Sequence, residues 1–338
     1  MSSVRWRLPL LLAATICATC AVVVWLAHVS PVIPNFVDRE LARQRETNGV
    51  FLYDAGFVDD ADYLLLDQVP FDDRSRGGVY FIGDSAMKVT LHPWLLPPGE
   101  RRLIHNYSVG ALRHSDVRAF VRMLVEDFDL LRAGGEHTTI FLSCSYYLAR
   151  PPIDGVTLSY YVERHGLYTY SADAGMHPTK LLAADRFVRM QRDYAARFLN
   201  IAFGSRQSRV SGTDAELKSP QSRMLEGDWR AALSREVHEL EELITYLQAR
   251  GVTVAAIFPP SGSWDDGSPY EPAYRAVVEP LLQKYRVALI DQDDLISDDD
   301  FADRNHPNYR SELVLHELNR RAALGALGRM GLKPSDSP

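Results

Sequence analysis

Residues 79–85 of the chain read Val79-Tyr80-Phe81-Ile82-Gly83-Asp84-Ser85. The β-branched and aromatic run predicts a buried strand, and the Gly-Asp-Ser that follows predicts a tight turn before a short helix. Open α/β sheets build their sites at the carboxyl ends of their strands. We therefore expect Ser85 to lie at such an edge with an exposed hydroxyl and with backbone N–H donors nearby for an oxyanion. Gly83 and Asp84 are expected to shape the turn.

A base that could activate this serine occurs near the other end of the chain. Residues 303–307 read Asp303-Arg304-Asn305-His306-Pro307, and His306 is the one histidine of ten with an aspartate three residues before it. In an Asp-x-x-His loop the carboxylate can orient one imidazole nitrogen, while the other nitrogen accepts a proton from serine. The two motifs stand near opposite ends of the expected globular part.

The chain between these motifs alternates predicted strands and helices, which indicates a parallel sheet with helices on its faces. Apolar strands are predicted at 79–82, 102–105, 138–142, 252–258 and 287–291. Amphipathic helices are predicted from 115 or 116 to 133, from 228 to 250, from 272 to 285 and from 309 to 327. We expect a three-layer α/β/α domain with a mostly parallel central sheet over residues 76–333, followed by a tail at 334–338. This order brings Ser85 and His306 to the same edge.

The alternation loosens at about 150–226, which we interpret as an insertion over the carboxyl edge of the sheet. Tyrosines accumulate around it with scattered cations. Such a composition suits contacts with carbohydrate or with membrane headgroups, and it suits equally well a set of tyrosines that pack the insertion on the core. The candidate substrate contacts are Ser145, Tyr146, Arg164 and His165.

Residues 8–27 form an uncharged, mostly apolar stretch that is long enough to cross a bilayer as a helix. Arg5 and Arg7 precede it, so the positive-inside rule predicts a cytoplasmic amino terminus. We therefore expect a single-pass anchor in the cytoplasmic (inner) membrane over residues 1–28 and a stalk or linker over 29–75. The globular part would lie in the periplasm or outside the cell. A cleaved signal peptide is the alternative.

Composition excludes several classes of protein. The formal net charge of −7 and the lack of a basic run argue against a nucleic acid partner. Cys17 and Cys20 fall in the apolar stretch, which leaves Cys144 as the remaining cysteine and predicts a buried thiol there rather than a disulfide. The histidines show no metal-ligand spacing, so neither a metal nor another cofactor is expected.

The Gly-Asp-Ser turn after the first strand and the Asp-x-x-His before the last helix resemble the SGNH (GDSL-like) hydrolase superfamily. The resemblance extends from about residue 78 to the last helix, and it implies that Ser85 is the nucleophile, His306 the base and Asp303 its orienter. The family's second block is similar to Ile104-His105-Asn106-Tyr107-Ser108-Val109-Gly110, with serine where glycine is usual. By resemblance, the oxyanion hole would use Ser85, Asn106, Ser108 and Gly110.

The family's third block, Gly-x-Asn, is absent, because the corresponding strand end reads Phe141-Leu142-Ser143-Cys144-Ser145. This departure argues against an ordinary secreted lipase. The chain is similar instead to the membrane-anchored branch of the family that serves cell-surface O-acylation, such as the D-alanyl-transfer proteins of teichoic acid modification and the alginate O-acetylation proteins.

This branch implies a serine O-acyltransferase or esterase that works on a cell-surface or exported polysaccharide through an acyl-serine intermediate. It also implies a membrane-bound O-acyltransferase as a partner. Transfer to a sugar hydroxyl and transfer to water both remain open. So do two other functions, a non-catalytic SGNH-scaffold partner of such an acyltransferase complex and a plain periplasmic esterase.

Overall fold

The structure is a computed structural model of the 338-residue chain. It describes residues 14–16, 18–19, 21–22, 69, 74–110, 112–151, 168–171, 175–178, 224–225, 227–265, 267–301 and 304–334.

A parallel sheet forms the centre of the described fold. The strands, in chain order, are β1 Gly78–Ile82, β2 Ile104–Asn106, β3 Thr138–Ser143, β4 Tyr168–Ser171, β5 Gly175–Pro178, β6 Thr253–Phe258 and β7 Ala288–Asp291. Five of them pair in parallel in the order β2-β1-β3-β6-β7, and β4 pairs with β5 in a separate antiparallel ribbon. The predicted α/β class is confirmed, and the central sheet is entirely parallel.

Helices cover both faces of this sheet. They are α1 Ser85–Thr90, α2 Pro98–Arg101, α3 His114–Glu126, α4 Trp229–Gln248, α5 Tyr270–Lys284 and α6 Tyr309–Arg329. Successive side chains of a strand point to opposite faces. In β1, Tyr80 and Ile82 pack with α3, α4 and α5, whereas Val79 and Phe81 pack with α1 and α6. The sheet therefore lies between two helical layers.

The strand order determines where a ligand would bind. The chain moves from β1 outward to β2 and then crosses back to β3 on the other side of β1. In doubly wound sheets such a reversal leaves a crevice outside the carboxyl ends of the two strands on which the connections diverge. The crevice predicted here lies beyond Ile82 of β1 and Ser143 of β3.

The predicted bounds agree closely with the observed ones, with one clear exception. The apolar spacing predicts a helix as far as residue 133, whereas α3 ends at Glu126. Asp129 has a φ of 55°, a left-handed conformation that an α-helix does not contain. Phe128 and Leu131 still pack against the core, so the apolar spacing there reports burial rather than helix.

Several predicted segments lie largely outside the described residues. Residues 14–16, 18–19 and 21–22 of the apolar stretch at 8–27 are described, and all are helical. Within the described part of the chain, no helix combines the length and apolar character needed to span a bilayer. Most of the stalk at 29–75 and most of the insertion, including Arg164 and His165, are not among the described residues.

Candidate active site

Ser85 begins helix α1 directly after the turn that ends β1. Its side chain is partly exposed, whereas all five residues of β1 and the rest of α1 are buried. The serine therefore stands at the carboxyl edge of the sheet, beside the crevice between β1 and β3, with access to solvent.

The turn before Ser85 is fixed by two neighbours. Asp84 is buried and caps α1, because its Oδ1 accepts a hydrogen bond from the Met87 N–H at 3.3 Å. The same oxygen accepts from the Ser143 hydroxyl at 3.1 Å, which ties the ends of β1 and β3 together. A Cβ on Gly83 would lie 2.2 Å from the Cβ of Ser143, so this position has no room for a side chain.

Asn106 and Ser108 make hydrogen bonds within the fold. The Asn106 amide donates to the carbonyl oxygens of Lys88 at 3.0 Å and Leu91 at 2.7 Å, which caps the carboxyl end of α1. Its Oδ1 accepts the Ser108 N–H at 3.1 Å. Both amide hydrogens and the Ser108 N–H are thus engaged within the fold. These contacts argue against the expected role of the two residues as oxyanion donors, and that role stays a prediction.

Gly110 follows a segment that runs beside the end of β1. Beyond β2 the chain continues beside β1, since the Tyr107 N–H donates to Phe81 O at 2.8 Å and the Val109 N–H donates to Gly83 O at 3.0 Å. Gly110 is the next residue after Val109, and Ser85 is the second residue after Gly83. Its contribution to an oxyanion hole stays a prediction.

His306 lies on a closed loop just before α6. Phe301 and Pro307 form an antiparallel bridge, and the Asn308 N–H donates to Asp300 O at 2.6 Å. These two contacts join the two ends of the loop. His306 is buried with 9% of its surface exposed. Asp303, its expected orienter, belongs to the same loop but lies outside the described residues.

The helices that follow Ser85 and His306 pack against each other through a polar interface. The His92 N–H, just beyond α1, donates to Nδ1 of His316 at 3.2 Å, and Nε2 of His92 lies 3.0 Å from Oε2 of Glu312. The Asn319 amide donates to Thr90 O at 3.2 Å. Glu312, His316 and Asn319 all belong to α6 and are buried. The two remote motifs are therefore carried by neighbouring helices.

Within the described residues, no hydrogen bond joins the Ser85 hydroxyl to His306. In unliganded enzymes the hydrogen bonds of a catalytic set are often long and tighten when substrate binds. The contact between nucleophile and base is therefore a prediction and not an observed feature.

A small cleft at the carboxyl edge is lined by Ala86, the residue that follows Ser85. Its volume is about 20 Å³, which is room for a water-sized group, and its walls include Ala86, Ser145, Tyr146, Tyr147 and Asn305. Ser145 caps the short helical turn after β3, because its hydroxyl accepts the Tyr147 N–H at 3.2 Å. Ser145 and Tyr146, the two expected substrate contacts that the structure describes, thus line a cleft between the Ser85 turn and the His306 loop.

Cys144 also lines this cleft but is not a nucleophile. The thiol is free and buried, as predicted, and burial raises its pKa to about 12. A thiol with so high a pKa carries almost no thiolate at neutral pH and is correspondingly inert.

A buried polar cluster joins three loops of the carboxyl edge, and we call Tyr146, Tyr147, Asp265 and Arg304 the Asp265 cluster. Both tyrosine hydroxyls donate to Asp265 Oδ2, that of Tyr147 at 3.1 Å. Nη2 of Arg304 donates to Asp265 Oδ1 at 3.0 Å. Burial and the charge of Asp265 raise the pKa of both tyrosines, so these hydroxyls stay protonated and donate.

Glu271 is a partly buried carboxyl group on the far side of the cleft. It also lines a wider neighbouring cleft of about 560 Å³, whose wall includes Arg275 and Asp293. Burial, together with the charge of Asp293, raises the pKa of Glu271 to about 7. Among the described residues, no group of three or more His, Cys, Asp or Glu side chains could hold a metal ion.

The sequence alone did not identify the Asp265 cluster. Arg304 lies inside the Asp-x-x-His motif, and an arginine so close to the expected base is the feature of the sequence that points to this cluster. Asp265 stands in an ordinary polar loop after β6, and nothing local distinguishes it from the other acidic residues of that region.

No protein-family model matches this chain, and no curated protein matches it with significance.

Proposed function

We propose that this chain is a serine acyltransferase or esterase of the SGNH type, in which Ser85 is the nucleophile, His306 the base and Asp303 the orienter of His306. The observation that carries the proposal is the position of two remote motifs. A partly exposed serine begins α1 at the crevice of a doubly wound sheet, and His306 lies on the loop that leads into α6, the helix packed against α1. Such crevices are the usual ligand sites of this architecture.

The proposed reaction begins with attack of Ser85 Oγ on the carbonyl carbon of an ester while His306 accepts the hydroxyl proton. The tetrahedral intermediate collapses, the C–O bond to the leaving alcohol breaks, and the imidazolium returns the proton to that alcohol. A sugar hydroxyl or water then attacks the acyl-serine, with His306 again taking and returning a proton. The backbone N–H groups of Ser85 and Gly110 are the proposed oxyanion donors.

The proposed setting is the outer side of the cytoplasmic membrane, with the apolar stretch at 8–27 as the anchor. An anchored enzyme stays beside membrane-made polymers and beside an integral-membrane acyl donor. This favours transfer to a cell-surface or exported glycan over hydrolysis, with a membrane-bound O-acyltransferase as the partner that supplies the acyl group.

Covalent labelling tests the nucleophile directly. A fluorophosphonate should modify Ser85, as located by mass spectrometry of peptides, and Ser85→Ala should abolish the labelling. Ser261→Ala is the matched control, because Ser261 also follows a strand at the same edge but bonds to Asp293. Labelling that persists in Ser85→Ala, or an unlabelled wild type, argues against the proposal.

A non-catalytic scaffold is the second candidate, and a specific observation favours it. The third donor block is absent, and Asn106 and the Ser108 N–H are engaged within the fold, so few groups are left to stabilise an oxyanion. Mass spectrometry of the surface polymer separates the two functions. If acylation survives in Ser85→Ala cells but disappears when the whole protein is lost, the scaffold function is correct.

A plain periplasmic esterase is the remaining alternative. It would turn over p-nitrophenyl acetate rapidly as the isolated globular part, with no need for a glycan acceptor. The proposed transferase should instead release p-nitrophenol slowly and accelerate when acceptor glycan is added.

A further inference from the structure

The ion pair between Asp265 and Arg304 is buried, unlike an ion pair on the protein surface. Asp265 is 3% exposed and Arg304 is 8% exposed, and Nη2 of Arg304 lies 3.0 Å from Asp265 Oδ1. Within the described part of the chain, Nε and Nη1 of Arg304 have no hydrogen-bond partner. Asp265 is therefore the group that compensates the guanidinium charge there.

The backbone of Arg304 is also held. Nε1 of Trp264, the neighbour of Asp265, donates to the Arg304 carbonyl at 3.1 Å, and the Trp264 ring meets Phe301 edge-on at 5.1 Å. The guanidinium lies 5.5 Å from the ring centre of Tyr147, which is within cation–π range. Trp264 and Asp265 thus bind the main chain and the side chain of Arg304, respectively.

Arg304 is two residues from His306, and a tether of two residues spans at most about 7 Å. A shift of the arginine would therefore displace the imidazole. Removing one member of a buried ion pair commonly costs about 3–5 kcal/mol, because the remaining charge is left uncompensated in a low-dielectric site. Without Asp265, we expect the Arg304 side chain to leave its site and to carry the loop with it.

We propose that Asp265 is a positioning residue for His306. It acts through Arg304, with Tyr146 and Tyr147 fixing its carboxylate, and it keeps the imidazole where it can accept the Ser85 proton. The role of His306 as a base rests on the proposed function, whereas the mechanical link from Asp265 to the loop does not.

Asp265→Asn tests the link, since it removes the charge and keeps the shape. Hydrogen–deuterium exchange should rise about 10-fold or more in peptides that cover residues 299–310 and stay unchanged in peptides that cover 134–142, which begin at the opposite edge and include most of β3. The rate of Ser85 labelling by a fluorophosphonate should fall about 10- to 100-fold, the size expected when a catalytic group is misplaced by a fraction of its contact distance. The midpoint of the pH profile of labelling should also change, which a general loss of stability would not cause.

Asp298→Asn is the matched control. Asp298 lies at the same edge and accepts from the Ser263 N–H at 2.8 Å, but it is exposed and makes no ion pair in the described part of the chain. Its variant should keep the wild-type exchange and labelling rates.

A double variant, Asp265→Asn with Arg304→Met, keeps the proposal testable if the single variant unfolds. It leaves no uncompensated charge, so its Tm should lie close to that of the wild type. Exchange in residues 299–310 should still be raised and Ser85 labelling should still be slow.

The outcomes separate this inference from the proposed function. Wild-type exchange and labelling in both Asp265 variants would overturn the positioning role and leave the nucleophile intact. An unlabelled wild type would instead remove the proposed reaction, and the exchange data alone would then decide whether Asp265 holds the loop.

Discussion

The two edges of the central sheet are closed in opposite ways. At the amino edge, backbone meets backbone: a Cβ on Gly135 would lie 1.8 Å from the carbonyl oxygen of Arg250, and a Cβ on Gly78 would lie 2.7 Å from that of Leu103. At the carboxyl edge, side chains bridge the strands, as in the Asp84–Ser143 contact and the Asp265–Arg304 pair.

This difference indicates where a ligand could bind. At these two positions of the amino edge the backbones approach so closely that no side chain fits between them. The carboxyl edge, by contrast, has two clefts, a small one lined by Ala86 and Glu271 and a wider one lined by Glu271 and Arg275. Changes at the amino edge should therefore lower stability, and changes at the carboxyl edge should lower the proposed activity more than stability.

Gly135→Ala should give the largest effect of the tests that follow. The added methyl would meet a backbone oxygen, so the starts of β3 and β6 would have to separate. We expect the free energy of unfolding to fall by about 3 kcal/mol or more, measured by urea denaturation. The molecules that remain folded should keep the wild-type rate of Ser85 labelling.

Gly328→Ala is the control for this substitution. Gly328 lies in α6, its φ is not left-handed, and nothing lies within 4 Å of the place that an alanine methyl would take. Alanine there should be neutral or stabilising by about 0.5–1 kcal/mol. If Gly135→Ala is as stable as Gly328→Ala, the amino edge is not closed as tightly as the distances indicate.

Asp84→Ala is the corresponding change at the carboxyl edge. It removes the cap on the Met87 N–H and the acceptor of the Ser143 hydroxyl, which together should cost about 1–2 kcal/mol of unfolding free energy. Because the turn before Ser85 loses its anchor to β3, labelling of Ser85 should fall about 10-fold or more.

Asp84→Asn separates the two effects, since the amide oxygen can still accept from Met87 and Ser143. This variant should retain most of the stability and most of the labelling. If Ser85 is labelled as fast in Asp84→Ala as in the wild type, the expected difference between the two edges is contradicted, because the side-chain bridge closest to Ser85 would then have no effect on the proposed activity.

The fold could be predicted because its information is local. Strands such as 79–82 and 138–142 are continuous apolar runs that end at turn residues, and a strand buried on both faces needs such a run. The end of α3 at Glu126 differs from the predicted end because apolar spacing reports which residues are buried, and Phe128 and Leu131 pack against the core without being helical.

The site was less predictable because its contacts join distant loops. The Gly-Asp-Ser turn and the position of His306 follow from short motifs on predicted elements. The Asp265–Arg304 pair depends on the path of two loops that are 39 residues apart in sequence. The sequence predicts an oxyanion donor at Asn106 because a turn after a strand resembles one. The carbonyl groups that Asn106 caps become its neighbours only when α1 folds back beside β2.

Glu271 gives the prediction with the smallest expected effect in this comparison of the two edges. It is a partly buried acid in the wall of both carboxyl-edge clefts, so its effect on stability changes gradually with pH. Its pKa is raised from 4.5 to about 7, so between these values the native state keeps a proton that the unfolded chain releases. Stability from this group is therefore complete below pH 4.5 and is lost as the pH rises towards 7. Relative to the wild type, Glu271→Gln should gain about 1 kcal/mol of unfolding free energy between pH 5 and pH 8, measured by urea denaturation.

Glu279→Gln is the control. It alters an exposed carboxylate that also contacts Arg275, and it should keep the wild-type pH dependence. If the unfolding free energies of Glu271→Gln and the wild type depend on pH in the same way, the Glu271 carboxyl group is as accessible to water as one on the protein surface.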